Sequence, residues 1–297
     1  MSAAWSWYVT VLSLANILAC VWLIRWTAKK RPGEGAAGDT TGHEWDGLRE
    51  YNNPMPRWWL GLFYLTIGFA LVYLLLYPGL GNFKGLLGWT QTGAYEAEVK
   101  KVEADVAPLF AKYAATPVPE LAKDPAAMAT GRRLFLTNCA VCHGADGHGS
   151  RGFPNLADDI WQWGGSPEQI EQSIAQGRQA AMPPWGAALG EDGVKAVATY
   201  VRSLSGKPGD PALIAAGKEK FQTLCVACHG PDGKGNPMLG APDLTDDYWL
   251  YGGIQEAIET SIRNGRMGVM PAHKDLLSPE RIHVLAAYVY SLSHEQP

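Results

Sequence analysis

The chain has 297 residues, a formal charge of −4 at pH 7, only 18 % charged residues and 12 tryptophans. That length fits two or three domains. A mildly acidic balance excludes nucleic acid as an expected partner, and few charges beside many tryptophans fit lipid-spanning segments edged by aromatic residues.

The first apolar run extends from Tyr8 to Ile24, flanked by Trp5, Trp7, Trp22 and Trp26. At about 20 residues it is long enough to cross a bilayer as a helix. A cleaved signal peptide is the competing reading. No basic residue precedes the run, and the basic cluster follows it, which favours the membrane helix. Asn16 is the strongly polar residue inside the run and is expected to face another helix. Arg25, Lys29, Lys30 and Arg31 open a polar stretch to Arg57 that holds six Lys/Arg, against none before Tyr8. By the positive-inside rule this loop is cytoplasmic and the N-terminus lies outside. A second uncharged run, Trp58 to Leu80, returns the chain to the outer side. The expected order is a transmembrane helix in 1–28, a cytoplasmic loop over 29–57 and a second transmembrane helix over 58–80.

Residues 81–123 are expected to form an outer-side linker. A glycine-rich loop leads into a helix whose Tyr95, Val99, Val102, Val106, Leu109, Phe110 and Tyr113 recur at spacings of three and four. Pro108 is expected to kink it. Its stripe reads as a packing face against the downstream domains or a partner.

From residue 124 the chain is one unit written twice, over 124–206 and 207–297. Cys139-Ala140-Val141-Cys142-His143 and Cys225-Val226-Ala227-Cys228-His229 both read C-x-x-C-H, the c-type haem attachment signal. The two thiols of each motif form thioethers with one haem, and His143 or His229 falls under the iron as proximal ligand. A redox disulfide or a zinc site explains neither histidine. The remaining cysteine, Cys20, sits in the first apolar run and reads as an inert buried thiol. Each motif is followed by Gly-x-Asp-Gly-x-Gly, Gly144 to Gly149 and Gly230 to Gly235, at an offset of 86 (Cys139 to Cys225). Asn155 to Asp159 matches Asp243 to Asp247 at an offset of 88, so the second loop carries two extra residues. Apolar helices, Val194 to Leu204 and Ile282 to Leu292, close the copies. Some 80 residues make a small core, and a haem would supply the missing apolar body. The order of helix, motif, glycine-rich loop, short helix, methionine loop and terminal helix resembles a class I cytochrome c. The expected fold is all-α, with two N-terminal transmembrane helices before two tandem domains of that class.

Met182 and Met270 stand in matching Met-Pro contexts, 43 and 45 residues beyond the first cysteine of their motifs. They are the candidate distal ligands, since a thioether favours reduced iron and raises the potential. Met267 and Met238 are lesser competitors of Met270, having no counterpart in the first copy. His148 and His273 occupy no repeated position and read as exposed loop histidines. Arg178 and Arg266, four residues before each methionine, either neutralise a haem propionate or are solvated. Pro154 and Pro242, though not in strictly equal repeat positions, lie in the loop that, in the class I cytochromes c the repeat resembles, offers a carbonyl to the proximal imidazole. Trp161, Trp163, Trp249 and Tyr251 either line haem edges or pack elsewhere.

The stretch His43-Glu44-Trp45-Asp46-Gly47, with Glu50 and Asn53-Pro54-Met55-Pro56-Arg57-Trp58-Trp59, joined to the haem repeat, resembles the dihaem subunit (CcoP or FixP, subunit III) of cbb3-type cytochrome c oxidase over residues 43–297. The first forty residues lie outside the common pattern of that family, many of whose members have one membrane helix. The resemblance implies two covalently bound haem c groups and a place in the bacterial inner membrane, with the haem domains periplasmic. It implies electron transfer from a soluble or membrane donor cytochrome c, through a monohaem cytochrome c subunit, to a catalytic haem–copper subunit that reduces oxygen. No residue of this chain is expected to be catalytic. The nearest alternative is the cytochrome c subunit of a membrane-bound dehydrogenase. A haem gas sensor would need an open iron, and an assembly factor would need no haem.

Overall fold

The computed structural model describes residues 1–30, 32 and 34–294. Arg31 of the basic cluster and Gly33 of the flexible stretch lie outside the described residues. The chain divides into two compact units, Met1–Asp105 and Val106–Pro297.

The first unit contains α1 (Ala3–Thr27), a ribbon of β1 (Thr40–Trp45) and β2 (Leu48–Tyr51), and α2 (Arg57–Leu76). Ser2 caps α1 by accepting from the Trp5 amide. Both helices are long and apolar enough to cross a membrane, and their side chains are exposed almost throughout. Asn82, just beyond α2, donates through its backbone N–H to Ser6 Oγ (2.8 Å) and through its side chain to the Met1 carbonyl (3.2 Å). The start of α1 and the end of α2 are thereby pinned side by side.

Asn16 is exposed and donates to the Leu12 carbonyl (2.9 Å) one turn back. Its amide is thereby satisfied within its own helix. The stretch from His43 to Tyr51 is a β-hairpin. Asp46 and Gly47, both at positive φ (49° and 83°), make the tight turn of an antiparallel hairpin with Glu44 opposite Arg49.

α3 (Gln91–Ala114) supplies residues to both units. Its stripe is covered only towards its end. Tyr113 is buried, while Tyr95 and Val102 remain exposed.

The second unit holds α4 (Val118–Leu121), α5 (Pro125–Asn138), α6 (Ala140–His143), α7 (Pro167–Gln176), β3 (Arg178–Met182), α8 (Gly186–Leu204), α9 (Pro211–Leu224), α10 (Val226–His229), α11 (Gln255–Asn264), β4 (Arg266–Met270) and α12 (Pro279–His294). The long helix before each motif starts alike. Asp124 and Asp210 accept from the amides of Ala126 and Ala212, each at 2.8 Å, and proline occupies the first helical position. Ser166 and Gln169 form a reciprocal capping box on α7.

The cores do not follow the repeat. One gathers Phe135 of α5 and Ile170 and Ile174 of α7 around Ile282, Leu285, Tyr288 and Val289 of α12. The other gathers Phe221 of α9 and Ile258 and Ile262 of α11 around Val194, Val197, Tyr200 and Val201 of α8. The terminal helix of each repeat therefore completes the core of the other, and residue 206 is a boundary in sequence but not in packing. Two further contacts fix the arrangement. His283 of α12 binds Glu171 of α7 (2.5 Å) and the Thr116 carbonyl (2.8 Å). Arg263 of α11 grips Glu191 of α8 through two hydrogen bonds (3.1 and 2.7 Å).

Candidate functional site

Each Cys-x-x-Cys-His motif forms one tight helical turn at the end of a long helix. The Cys139 amide still donates to Phe135 O, and the His143 amide donates to Cys139 O (3.0 Å). Cys225 and His229 repeat this with Phe221. The first cysteine of each motif packs against a core, Cys139 with that of Phe135 and Cys225 with that of Phe221. Burial, with a smaller push from Cys142, raises the Cys139 thiol to about 11, and burial with Cys228 does the same at Cys225.

The chain then reverses so that a proline carbonyl reaches back to the histidine. His143 Nδ1 lies 3.0 Å from Pro154 O, and His229 Nδ1 lies 3.2 Å from Pro242 O. A carbonyl only accepts, so Nδ1 carries the proton and Nε2 is left with a free lone pair. Burial lowers the pKa of both imidazoles, opposed by these hydrogen bonds, so the ring is neutral and suited to a metal. The reversal depends on the last glycine of each Gly-x-Asp-Gly-x-Gly. Gly149 sits at φ +68°, where a Cβ would stand 2.5 Å from Pro154 O. Gly149→Ala is expected to displace that carbonyl and free the imidazole N–H, costing about 1–3 kcal/mol. Thermal unfolding of the haem-loaded chain would read the loss, together with a rise in reduction potential as the histidine becomes a poorer electron donor.

Met182 and Met270 are half-buried, Met182 against the core of α8, α9 and α11 and Met270 against that of α5, α7 and α12. Met238 and Met267 are 87 % and 72 % exposed. His148 is exposed and pairs with Asp146 at 3.3 Å. His273, expected at the surface, is instead 8 % exposed. Its backbone N–H donates to Ile174 O, which draws the residue inward.

The repeated arginines each lie over a repeated aromatic ring, Arg178 over Trp163 (5.0 Å) and Arg266 over Tyr251 (4.3 Å). Arg178 Nε donates to Ser173 Oγ and Arg266 Nε to Ser261 Oγ. Sequence reasoning named all four residues without pairing them; the shared offset of 88 was the available signal. Among the described residues, the buried side-chain atoms without a partner include an Arg266 terminal nitrogen, Trp249 Nε1 and His273 Nδ1. A haem fits such a site. A propionate would accept from the orphaned Arg266 nitrogen, while the cysteine pair and the free Nε2 of each histidine form the attachment set.

The loops carrying the two prolines meet directly. Gly152 N–H donates to Leu250 O (2.9 Å), Asn155 N–H to Tyr248 Oη (3.1 Å), and Gln162 donates to the Gly240 carbonyl. A cleft of about 450 Å3 between them is lined by residues that include Ser150, Phe153, Tyr248, Trp249 and Tyr251.

Two family models match this chain. "N-terminal domain of cytochrome oxidase-cbb3, FixP" covers residues 37–84, and "Cytochrome C oxidase, cbb3-type, subunit III" covers 126–201 and again 212–289. The chain is 50 % identical over 294 residues to the cbb3-type cytochrome c oxidase subunit CcoP of Rubrivivax gelatinosus, covering 98 % of this chain and 96 % of that one. It is 45 % identical over 283 residues to the subunit FixP of Azorhizobium caulinodans, covering 89 % and 97 %. It is 40 % identical over 280 residues to FixP of Rhizobium meliloti, again covering 89 % and 97 %. The chain belongs to the CcoP/FixP family, the dihaem cytochrome c subunits of cbb3-type cytochrome c oxidase.

Proposed function

We propose that this chain takes electrons from a donor cytochrome c and passes them, through a monohaem cytochrome c subunit, to the haem–copper subunit of the oxidase. The observation that carries this reading is the duplicated turn in which His143 and His229 hold Nδ1 on a proline carbonyl and present Nε2. Each haem, when bound, supplies a one-electron couple. Cys139 and Cys142, and Cys225 and Cys228, would tether the groups, and His143, His229, Met182 and Met270 would supply the ligands to the irons. Arg266, with a buried donor unspent, would neutralise a propionate; Arg178 has the equivalent place but also donates to Gln169 O (3.3 Å) and Gln172 (3.2 Å). The direct hydrogen bonds between the proline-bearing loops give electrons a short protein path from one site to the other.

In this reading α1 and α2 cross the bacterial inner membrane as an antiparallel pair, with lipid around them. The pinning of Asn82 to Met1 and Ser6 supports it, because it puts the N-terminus and the residues beyond 80 at one end of the pair. The Lys/Arg-rich 29–57 segment then faces the cytoplasm and the haem domains face the periplasm.

Purification of the native complex from membranes tests the proposal. The chain is expected to co-purify with haem b and copper, and a pyridine haemochrome assay should give two haems c per chain. Fewer than two would contradict the attachment residues. Co-purification with a substrate dehydrogenase in place of haem b and copper would favour the alternative.

A further inference from the structure

We propose that the two repeats exchange their distal ligands. Met270 of the second repeat faces the haem held by Cys139, Cys142 and His143, and Met182 of the first faces the haem held by Cys225, Cys228 and His229. This rests on the proposed function, in which both motifs hold haem and both methionines are ligands, and it assigns which methionine serves which iron.

The exchange happens within five residues. At its start β3 belongs with the first repeat, since Arg178 is tied to Ser173 of α7 (2.8 Å). At its end Met182 packs against the core that contains Cys225, Val226, Leu244 and Trp249 of the second repeat. Four residue steps of an extended strand carry the chain about 13 Å. β4 makes the opposite journey, from Arg266 tied to Ser261 of α11 (2.9 Å) to Met270 on the core that contains Cys139, Ala140, Leu156 and Trp161. The two strands pair antiparallel along their whole length, with Arg178 opposite Met270 and Met182 opposite Arg266. Each site is thereby given an arginine from one repeat and a methionine from the other.

The residues just after each methionine also dock across. Trp185 N–H donates to Ile262 O of α11 (2.9 Å), whereas His273 and Lys274 donate to Ile174 O (3.1 Å) and Ala175 O (3.2 Å) at the end of α7. The loops that wrap the motifs meet the exchanged helices as well. A Cβ on Gly147 of the first loop would stand 2.8 Å from Leu292 of α12, and one on Gly233 of the second loop 2.8 Å from Leu204 of α8. Core, strand pairing and loop closure all place each methionine with the other repeat's motif.

The test uses the full chain with Cys225→Ala and Cys228→Ala, so that covalent haem remains only at the first motif. In that background Met270→Ala is expected to abolish the ferric methionine–iron charge-transfer band and to let the reduced protein bind carbon monoxide, while Met182→Ala leaves both unchanged. The reverse result would overturn the exchange and leave methionine ligation intact. Loss of the band with neither variant would overturn methionine ligation itself, and the exchange with it. A second measurement leaves both haems in place. With Arg263→Lys, a zero-length carbodiimide coupling is expected to join α8 to α11 through an amide between positions 191 and 263 found by peptide mass spectrometry, because the Glu191 carboxylate and the cationic tip at 263 meet at 2.7 Å. A chain whose repeats close on themselves would separate these helices, and absence of the 191–263 link would count against the exchange.

Discussion

Valine in place of Gly217 is expected to unseat α8 from α9 and open the second haem site, although α8 belongs to the first repeat. A Cβ at Gly217 would fall on the Ala196 carbonyl and stand 2.8 Å from Tyr200 Cβ. The obstacle is backbone, which cannot swing aside as a side chain can. Gly131, its counterpart in α5, faces Tyr288 Cβ at 2.6 Å and the Val284 carbonyl at 3.1 Å, both from α12. Overpacking of this kind costs about 1–3 kcal/mol and at times more, and contact with a carbonyl puts Gly217→Val at about 3 kcal/mol or above. Hydrogen exchange read peptide by peptide would locate the damage. Protection should fall in α8, α9 and α11 and persist in α5, α7 and α12. Loss in α12 with α8 intact would contradict the packing.

The elements were legible in the sequence because each has a local cause. Asp124 and Asp210 before proline announce helix starts, and a cysteine pair followed by histidine has one covalent use that explains all three residues. The proline carbonyls could be placed through the resemblance to class I cytochromes c, in which this loop supplies the acceptor that a ring nitrogen on the far side of a metal ligand needs. The partnership of the helices could not be read. Val194 to Leu204 and Ile282 to Leu292 are equivalents, and their periodicity says that one face is buried without saying against which copy. Tyr200 meets Phe221 and Tyr288 meets Phe135, both at ring distances of 5.2–5.4 Å, so either pairing satisfies the same pattern. His273 was misplaced for a related reason. Its burial comes from docking on α7, some hundred residues earlier, and nothing adjacent to it in sequence signals that. The hairpin at Asp46-Gly47 did carry a turn signal, but its strands alternate no apolar residues, being exposed on both faces, and the periodicity that identifies a strand is missing.

Truncating Leu285 to alanine is expected to damage the first haem site from near the end of the chain. Leu285 is fully buried in the core that joins α12 to Phe135, Ile170 and Ile174. Removing its isobutyl group forfeits burial and leaves a cavity, about 2–5 kcal/mol in comparable cores. For a unit of this size that lowers Tm by on the order of 10 °C. The loss should not spread evenly. Peptides covering α5, α7 and α12 should exchange faster, and the haem on His143 should become accessible to carbon monoxide when reduced, since Met270 rests on the same core. Peptides from α9 and α11 should keep their protection, because their core is closed by α8. Val197→Ala at the matching position in α8 should give the mirror result, smaller because fewer methyl groups are removed. Two conservative substitutions, each loosening the haem site of the repeat it does not belong to, separate an exchanged pair of cytochromes from two that merely stand in tandem. If each instead loosened its own repeat, the helices would have closed on the copies that encode them, and the packing described for α8 and α12 would be wrong.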